Sequence, residues 1–318
     1  NLDHLADAPN PQFARLPFHD LCGTWDFAYD DDNRGMRDRW FESSDPFDRN
    51  IIVPYPPESE LSGIADPSFH PICWYRRSFA DPRTDDTGRV LLHFGAVDYA
   101  ATVWVDGCYV GSHEGGSTPF VLDITDALHA SAADHVVTVR AYDDPHDLEQ
   151  PRGKQDWLAE PHTIFYRRTT GIWQPVWLEV APATRIESIR WTFDPSEWSI
   201  GLEVTLNRSC PDGSTIGVEI DLADDHIASG TWSIGGRSLR STIDLLSNSR
   251  LESLHQFLWS PESPTLLPAR LTLDLPDGGR DEVHTYTGLR TVETTPKRVL
   301  INGRSVFLRM VLSHGFWP

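Results

Sequence analysis

LLHFGAVDYAATVWVDGCYVG, residues 91–111, contains the pattern that decides the fold class. Apolar and polar residues alternate along much of it, as they do in strands that bury one face. The pair Asp106-Gly107 separates two such segments. Asp-Gly at this place is the signal of a two-residue type I′ hairpin, because both turn positions need a positive φ. The stretch therefore predicts antiparallel strands joined by a tight turn.

The same alternation continues on both sides of this stretch and predicts an all-β chain. A short helix is predicted only near Ile124 to Ala132. The first group of strands predicts one β-sandwich over residues 1–183, and about seven further strand segments predict a second, small sandwich over residues 184–290. The clearest strand segments are WYRRSF (74–79), RVLLHF (89–94), HVVTVRAY (135–142) and GIWQPVWLEV (171–180).

The last residues differ in kind from the two sandwiches. VLINGRSVFLRMVLSHGFWP contains an Asn302-Gly303 turn followed by a nearly continuous apolar run, Val306–Leu312. Continuous apolar strands are typical of sheets that are buried on both faces. Residues 291–318 are therefore predicted to be a linker and the first strand of a third domain.

Charge and composition exclude several functions. The net charge is −20, with 47 acidic and 27 basic residues, and no Lys/Arg cluster suggests a nucleic-acid partner. No apolar run is long enough for a membrane span. The four cysteines have no CxxC spacing and the thirteen histidines no HExxH spacing, so neither a metal site nor a cofactor is predicted. Thiols in a reducing compartment are favoured, which makes the cytoplasm the expected location.

Residues 143–170 lie between two predicted strands and lack strand or helix periodicity. Loops of this length within a compact domain are usually functional or disordered. This loop is rich in groups that bond to sugar hydroxyls or stack on a pyranose ring. The alternative is a packing loop whose charges are merely solvated. The candidate substrate-binding residues are Asp143, Asp144, Arg152, Lys154, Gln155, Trp157, Tyr166 and Arg167.

A second candidate is the proline-rich segment PYPPESELSGI, residues 54–64, in which Glu58 and Glu60 can face the same cleft. The favoured interpretation is an ordinary cover over a sheet edge. A retaining glycosidase needs two carboxyl groups about 5 Å apart on a rigid frame. Since a chain with 47 acidic residues always offers carboxylate pairs, no catalytic residue is assigned.

Several motifs in this order resemble glycoside hydrolase family 2, the family of β-galactosidases and β-glucuronidases. They are LCGTWDF, VPYPPESELSGI, CWYRRSF, the stretch from LLHFGAVDYA to PFVLDIT, RTTGIWQPVWLE and LINGRSVFLRMVLSHGFWP. The resemblance implies a jelly-roll (galactose-binding-like) sandwich, an immunoglobulin-like β-sandwich, and then a TIM barrel whose catalytic glutamates would lie beyond Pro318. It also implies that the 143–170 loop helps to shape the substrate site.

On this resemblance the chain is the non-catalytic front portion of an enzyme that hydrolyses terminal β-glycosides, with its catalytic barrel missing. Two alternatives stay open: a stand-alone lectin-like protein, and a subunit that docks on a separately encoded barrel. A homo-oligomer is also left open. Familiar family members place an Asp six residues before the Gly of the GI motif, where this chain has Phe165. That sugar contact is therefore not transferred.

Overall fold

The computed structural model describes residues 5–84, 87–129, 134–222, 225–245 and 254–312. Within these residues the chain is built from β-strands and a few 3₁₀ turns, which confirms the all-β prediction. It divides into two compact units, one formed by residues 18–180 and the other by residues 5–17 together with 181–312. The predicted boundary of 1–183 therefore differs at the start, because residues 5–17 pack with the second sandwich.

The first unit contains twelve strands among its described residues. The helix predicted near residues 124–132 is only a 3₁₀ turn, Thr125–Ala127, and residues 130–133 lie outside the described residues. The strands are β1 Phe18–Asp20, β2 Gly23–Tyr29, β3 Arg49–Val53, β4 Ile72–Ala80, β5 Arg89–Phe94, β6 Val97–Asp98, β7 Ala100–Val105, β8 Cys108–Glu114, β9 Phe120–Asp123, β10 Asp134–Tyr142, β11 Gly171–Ile172 and β12 Val176–Ala181.

Two antiparallel sheets form the predicted jelly-roll sandwich. One has the order β1-β12-β5-β9 and the other the order β3-β2-β4-β10-β7-β8, while β6 and β11 make a separate pair. Their apolar faces share one core, in which Trp25, Phe27, Tyr75 and Phe94 are almost completely buried. The Asp106-Gly107 turn joins β7 to β8 with φ values of 49° and 78°, as the hairpin prediction requires.

The second unit is the predicted immunoglobulin-like sandwich. The first half of β14 pairs with β13 and the end of β15, and its second half pairs with the start of β15 and with β16. Both halves share one core. About seven strands are predicted, and the described residues within 184–290 form five, because register shifts between Thr205 and Ser214 interrupt the pairing of two long strands without ending them. The strands are β13 Ile186–Asp194, β14 Ser199–Leu222, β15 Asp225–Asp244, β16 Leu267–Asp274 and β17 Arg280–Thr287.

An ion pair ties residues 5–17 to this second sandwich. Arg15 is buried and donates from Nε to Asp281 Oδ1 at 2.8 Å, and its Nη2 atom also bonds to the carbonyl of Ile186. Ala14 exchanges two backbone hydrogen bonds with His284 of β17. The segment therefore joins the outer strands β13 and β17, which explains why it belongs to the second unit.

The predicted first barrel strand at the C-terminus is not confirmed, whereas the predicted Asn302-Gly303 turn forms with φ values of 50° and 72°. Residues 292–306 form a small antiparallel sheet of β18 (Val292–Thr295), β19 (Arg298–Ile301) and β20 (Arg304–Val306). Residues 307–312 form no strand, and Phe307, Met310 and Val311 are 87%, 78% and 92% exposed. No described strand pairs with them, so the first strand of a truncated barrel is not observed. Residues 313–318 lie outside the described residues.

The four cysteines, Cys22, Cys73, Cys108 and Cys210, are free thiols. Cys73 and Cys210 are buried, Cys22 is half-buried and Cys108 is exposed. Among the residues that the structure describes, no helix is long and apolar enough to cross a membrane.

Candidate functional site

The two-stranded pair β6–β11 fixes both ends of the 143–170 loop. Asp98, the last residue of β6, lies opposite Gly171, the first residue of β11. The loop begins at Asp143, directly after β10, and ends at Thr170, directly before β11. The strands therefore bring the start and the end of a long polar segment to one place beside Asp98.

A buried ion pair closes the base of this loop. Arg168 Nη2 donates to Asp143 Oδ2 at 2.5 Å and to the Asp143 carbonyl at 2.8 Å, and both side chains are almost fully buried. The Thr170 hydroxyl donates to the same carboxylate at 3.3 Å. Gln150 donates to the other carboxylate oxygen of Asp143. A buried carboxylate with this many donors is well satisfied, which is the condition under which such a group is tolerated.

Gln155 connects the middle of the loop to the sheet. Its Nε2 atom donates to Asp98 Oδ2 at 2.7 Å, and its Oε1 atom accepts the backbone N–H of Thr169 at 2.8 Å. Glu58, from the proline-rich segment, accepts the backbone N–H of Thr170 at 3.2 Å. Both carboxyl groups and the Gln155 amide are buried. The inner side of the loop is therefore a polar network of three carboxyl groups and one guanidinium.

Burial changes the acidity of two members of this network. It raises the pKa of Asp98 to about 7, and the negative charge of Asp143 adds to the effect against the opposing influence of Gln155 and Arg168. Burial likewise raises the pKa of Glu58 to about 7. The physical reason is that low-dielectric surroundings disfavour the charged form of a carboxyl group. Near neutral pH each of these two carboxyl groups is therefore partly protonated.

Two glycines permit the close packing around these carboxyl groups. A Cβ atom on Gly116 would lie 2.0 Å from Asp98 Oδ1. A Cβ atom on Gly171, whose φ is 76°, would lie 2.1 Å from the Tyr75 hydroxyl. Any larger residue would have to displace a buried polar group at either position. The glycine of the GI motif is thus needed for the space and for the backbone conformation.

The structure places half of the predicted binding residues around the network. Asp143 and Gln155 are buried members of it, while Asp144 and Arg152 lie at its border, where Arg152 donates to the Pro145 carbonyl at 2.6 Å. These four residues line a cavity of only about 10 Å³. That volume is on the scale of one water molecule and far below that of a pyranose ring. The inner side of the loop is thus filled by its own side chains.

The other four predicted residues, Lys154, Trp157, Tyr166 and Arg167, lie on the outer side of the loop. Trp157 is 38% exposed, and the other three are half-buried. The Arg152 guanidinium lies 5.4 Å from the Trp157 ring centre, and Phe165 packs against the same indole at 4.8 Å. The indole is therefore held in place while the residue stays partly exposed to solvent.

No sequence pattern singled out Asp98, Arg168 or Thr170, and the segment containing Glu58 was predicted to be a surface cover. Glu58 is instead buried against the loop, and Glu60 is exposed. Asp98 had a usable signal, because it is a charged residue within the otherwise apolar segment FGAVDYA. The described residues contain no cluster of three or more His, Cys, Asp or Glu side chains that could hold a metal ion.

Comparisons with known proteins agree with the first sandwich. The family described as "Glycosyl hydrolases family 2, sugar binding domain" matches residues 18–182. The chain is 28% identical over 304 residues to a β-glucuronidase of Paenibacillus borealis, covering 91% of this chain and 48% of that protein. It is 26% identical over 254 residues to a β-galactosidase of Thermoanaerobacter pseudethanolicus, covering 78% of this chain and 32% of that protein. The chain thus spans about half or less of these relatives.

Solved structures show the same fold. A β-glucuronidase from Ruminococcus gnavus, in complex with a C6-substituted uronic isofagomine, matches with a TM-score of 0.74 at 20% identity, covering 95% of this chain and 50% of that one. A Bifidobacterium dentium β-glucuronidase matches with a TM-score of 0.69 at 24% identity, covering 93% and 51%. At these identities the likeness concerns the fold alone.

Proposed function

This chain belongs to glycosyl hydrolase family 2, and on that premise we propose that it is the N-terminal, non-catalytic portion of an enzyme that hydrolyses terminal β-glycosides. The observation that carries the proposal is the match of residues 18–182 to the family's sugar-binding domain. The relatives named above are a β-glucuronidase and a β-galactosidase. Carbohydrate is accordingly the proposed ligand, and a catalytic barrel on further polypeptide is the proposed partner.

The state of the carboxyl groups supports a non-catalytic role for the first sandwich. Glycoside hydrolysis by retention needs two carboxyl groups that flank an open substrate site. Here Asp98, Asp143 and Glu58 are buried and hydrogen-bonded to neighbouring loop residues. The small cavity beside Asp143 has no room for a sugar between them. The network therefore holds the loop in shape and does not act on substrate.

The outer side of the loop is the proposed sugar-contacting surface. Trp157 offers part of an indole face for stacking on a pyranose ring, and Lys154, Tyr166 and Arg167 supply hydrogen-bonding groups nearby in sequence. Because the buried network fixes the base of the loop, this surface loses little conformational entropy on binding. We assign Asp143 and Gln155 to positioning rather than to contact with sugar.

The exposed residues 307–312 favour a partner polypeptide over a stand-alone lectin. Large contiguous apolar surfaces on soluble proteins usually mark an interaction site. Phe307, Met310, Val311 and Leu312 are each at least 78% exposed. A covering domain, either on the same polypeptide or encoded separately, would remove this apolar surface from water.

Two measurements test the proposal. The 318-residue chain should release no 4-nitrophenol from 4-nitrophenyl β-D-galactoside or β-D-glucuronide, and turnover above the buffer rate would contradict the non-catalytic role. In ligand-observed NMR with methyl β-D-galactoside, Trp157→Ala should weaken binding by about tenfold, the effect of losing one aromatic stacking contact. The matched control is Tyr109→Ala, which removes an exposed aromatic ring on β8 of the same unit. Equal losses in both variants would contradict the assignment of the sugar to the loop.

A further inference from the structure

A groove of about 670 Å³ opens on one side of the second sandwich, between the outer strands β13 and β17. This volume falls within the range of small-molecule sites in proteins. The groove lies entirely within the unit formed by residues 5–17 and 181–312. Its polar and aromatic lining is supplied mainly by Gln12, Arg190, Trp191, Trp259, Tyr286 and Arg290.

The side chains that line this groove carry positive charge, whereas the chain as a whole is strongly negative. The protein has a net charge of −20, yet two arginines and no Asp or Glu lie among the residues lining the groove. Neither Arg190 nor Arg290 forms an ion pair with any residue that the structure describes. Glu203, which lies opposite Arg190 in the strand register, is instead paired with Arg240 at 3.4 Å. The groove therefore favours an anion.

Its aromatic side chains favour a ring with apolar faces. The Arg290 guanidinium lies 4.4 Å from the centre of the Trp259 ring, which holds its plane in place while leaving N–H groups free at its edge. Tyr286 adds a further partly buried ring, and Trp191 packs against the core beneath the groove. The Trp191 indole N–H is sheltered from solvent and has no hydrogen-bond partner among the described residues.

We infer that this groove binds the uronate residue of an acidic saccharide, with Arg190 and Arg290 on its carboxylate and the aromatic rings against the sugar. Planar guanidinium groups match carboxylates in a bidentate geometry, and aromatic faces match pyranose rings better than they match a flexible acidic peptide. The site is separate from the loop of the first sandwich, to which the proposed function assigns its sugar contact. Failure of either proposal therefore leaves the other standing.

The test compares methyl β-D-glucuronide with methyl β-D-glucoside, which differ only in the carboxylate, by calorimetry or ligand-observed NMR on the full chain. We expect the glucuronide to bind at least about tenfold more tightly, as charge-assisted bonds predict, and the preference to decrease with added salt. The double variant R190Q/R290Q should abolish the preference. Arg304→Gln, an exposed arginine on β20 that does not line the groove, is the matched control and should retain it.

Two further variants separate this site from the alternatives. Trp157→Ala, in the first sandwich, should leave the glucuronide preference unchanged, and thermal melts should show that all arginine variants are folded. Equal binding of the two sugars, absence of binding at millimolar glucuronide, or an unchanged preference in the double variant would overturn the inference. Tighter binding of a tetraglutamate peptide that competes with the glucuronide would overturn the choice of a saccharide.

Discussion

Replacing Asp98 by Asn should make the stability of the first sandwich depend less on pH, because the variant removes the titration of one buried carboxyl group. Asp98 is 2% exposed and accepts a hydrogen bond from Gln155, and an Asn carbonyl can accept the same bond. The variant therefore imitates the protonated carboxyl group, which is the form that the buried site prefers. Its amide does not titrate in the relevant range.

The magnitude follows from the pKa of Asp98, which burial raises from an ordinary 3.8 to about 7. Between these two values the folded protein keeps a proton that the unfolded chain has released, so stability falls as the pH rises from about 4 to about 7. Each pH unit in that window changes the free energy of unfolding by about 1.4 kcal/mol, or about 4 kcal/mol in total. Below the unfolded pKa the penalty disappears.

Urea unfolding followed by tryptophan fluorescence at a series of pH values from 4 to 8 measures this slope. We expect the wild-type chain to lose stability as the pH rises, whereas D98N should lose markedly less and should be the more stable protein at pH 8. Asp48→Asn, which alters an exposed carboxylate of the same unit, should keep the wild-type slope. Identical slopes for D98N and wild type would refute the assignment of a neutral, buried carboxyl group to Asp98.

Three other changes test the packing of the molecule. Arg168→Met leaves Asp143 buried without its cation and should lower the free energy of unfolding by about 3–5 kcal/mol. The control, Arg270→Met at the exposed pair with Glu219, should lower it by less than about 1 kcal/mol. Similar losses for both variants in urea titrations would contradict the buried ion pair. Gly63→Ala should lower the free energy of unfolding by about 1–2 kcal/mol because of its positive φ alone, since the space around Gly63 is open. Gly171→Ala should lower it by about 1–3 kcal/mol more, because its Cβ atom would also collide with Tyr75. Equal melting temperatures for the two variants would argue against that steric contact. Deleting residues 307–318 should raise solubility, measured by light scattering, without changing the melting temperature, and a lower melting temperature would mean that these residues stabilise the fold.

Local patterns were sufficient for most of the fold. Alternation along β7 and β10 reports a buried face directly, and Asp106-Gly107 specifies its own backbone conformation, which the structure reproduces. The sequence does not predict that four of the segments merge into the two long strands β14 and β15, because a bulge within a strand and a loop between strands carry the same polar residues. The pairing of Arg15 with Asp281 joins residues 266 positions apart, and no local pattern encodes such a contact.

The apolar run at residues 306–312 shows a different limit. Its composition is that of a buried strand, yet a strand forms only where a neighbour supplies hydrogen bonds to its backbone. The described residues supply none beyond Val306, so residues 307–312 remain exposed. The candidate site shows a related limit, because composition marks the 143–170 loop as polar but does not tell which of its side chains bond to one another. Asp143 and Trp157 were equivalent in the sequence and have opposite environments in the structure.

The distribution of charge also predicts which sugars the two proposed sites would prefer. At the base of the 143–170 loop Arg168 forms its ion pair with Asp143, while Asp98 and Glu58 are hydrogen-bonded to uncharged groups, so negative charge there increases as Asp98 and Glu58 ionise. The groove of the second sandwich has Arg190 and Arg290 and no acid among its lining residues. The proposed contact surface of the loop carries Lys154 and Arg167, but the loop also packs against these acids, whereas no acid lines the groove. We therefore expect the preference for uronates to be stronger in the groove than in the loop, and raising the pH from 6 to 8 should widen that difference. A loop whose preference for glucuronide over galactoside matched that of the groove at pH 8 would contradict this electrostatic division.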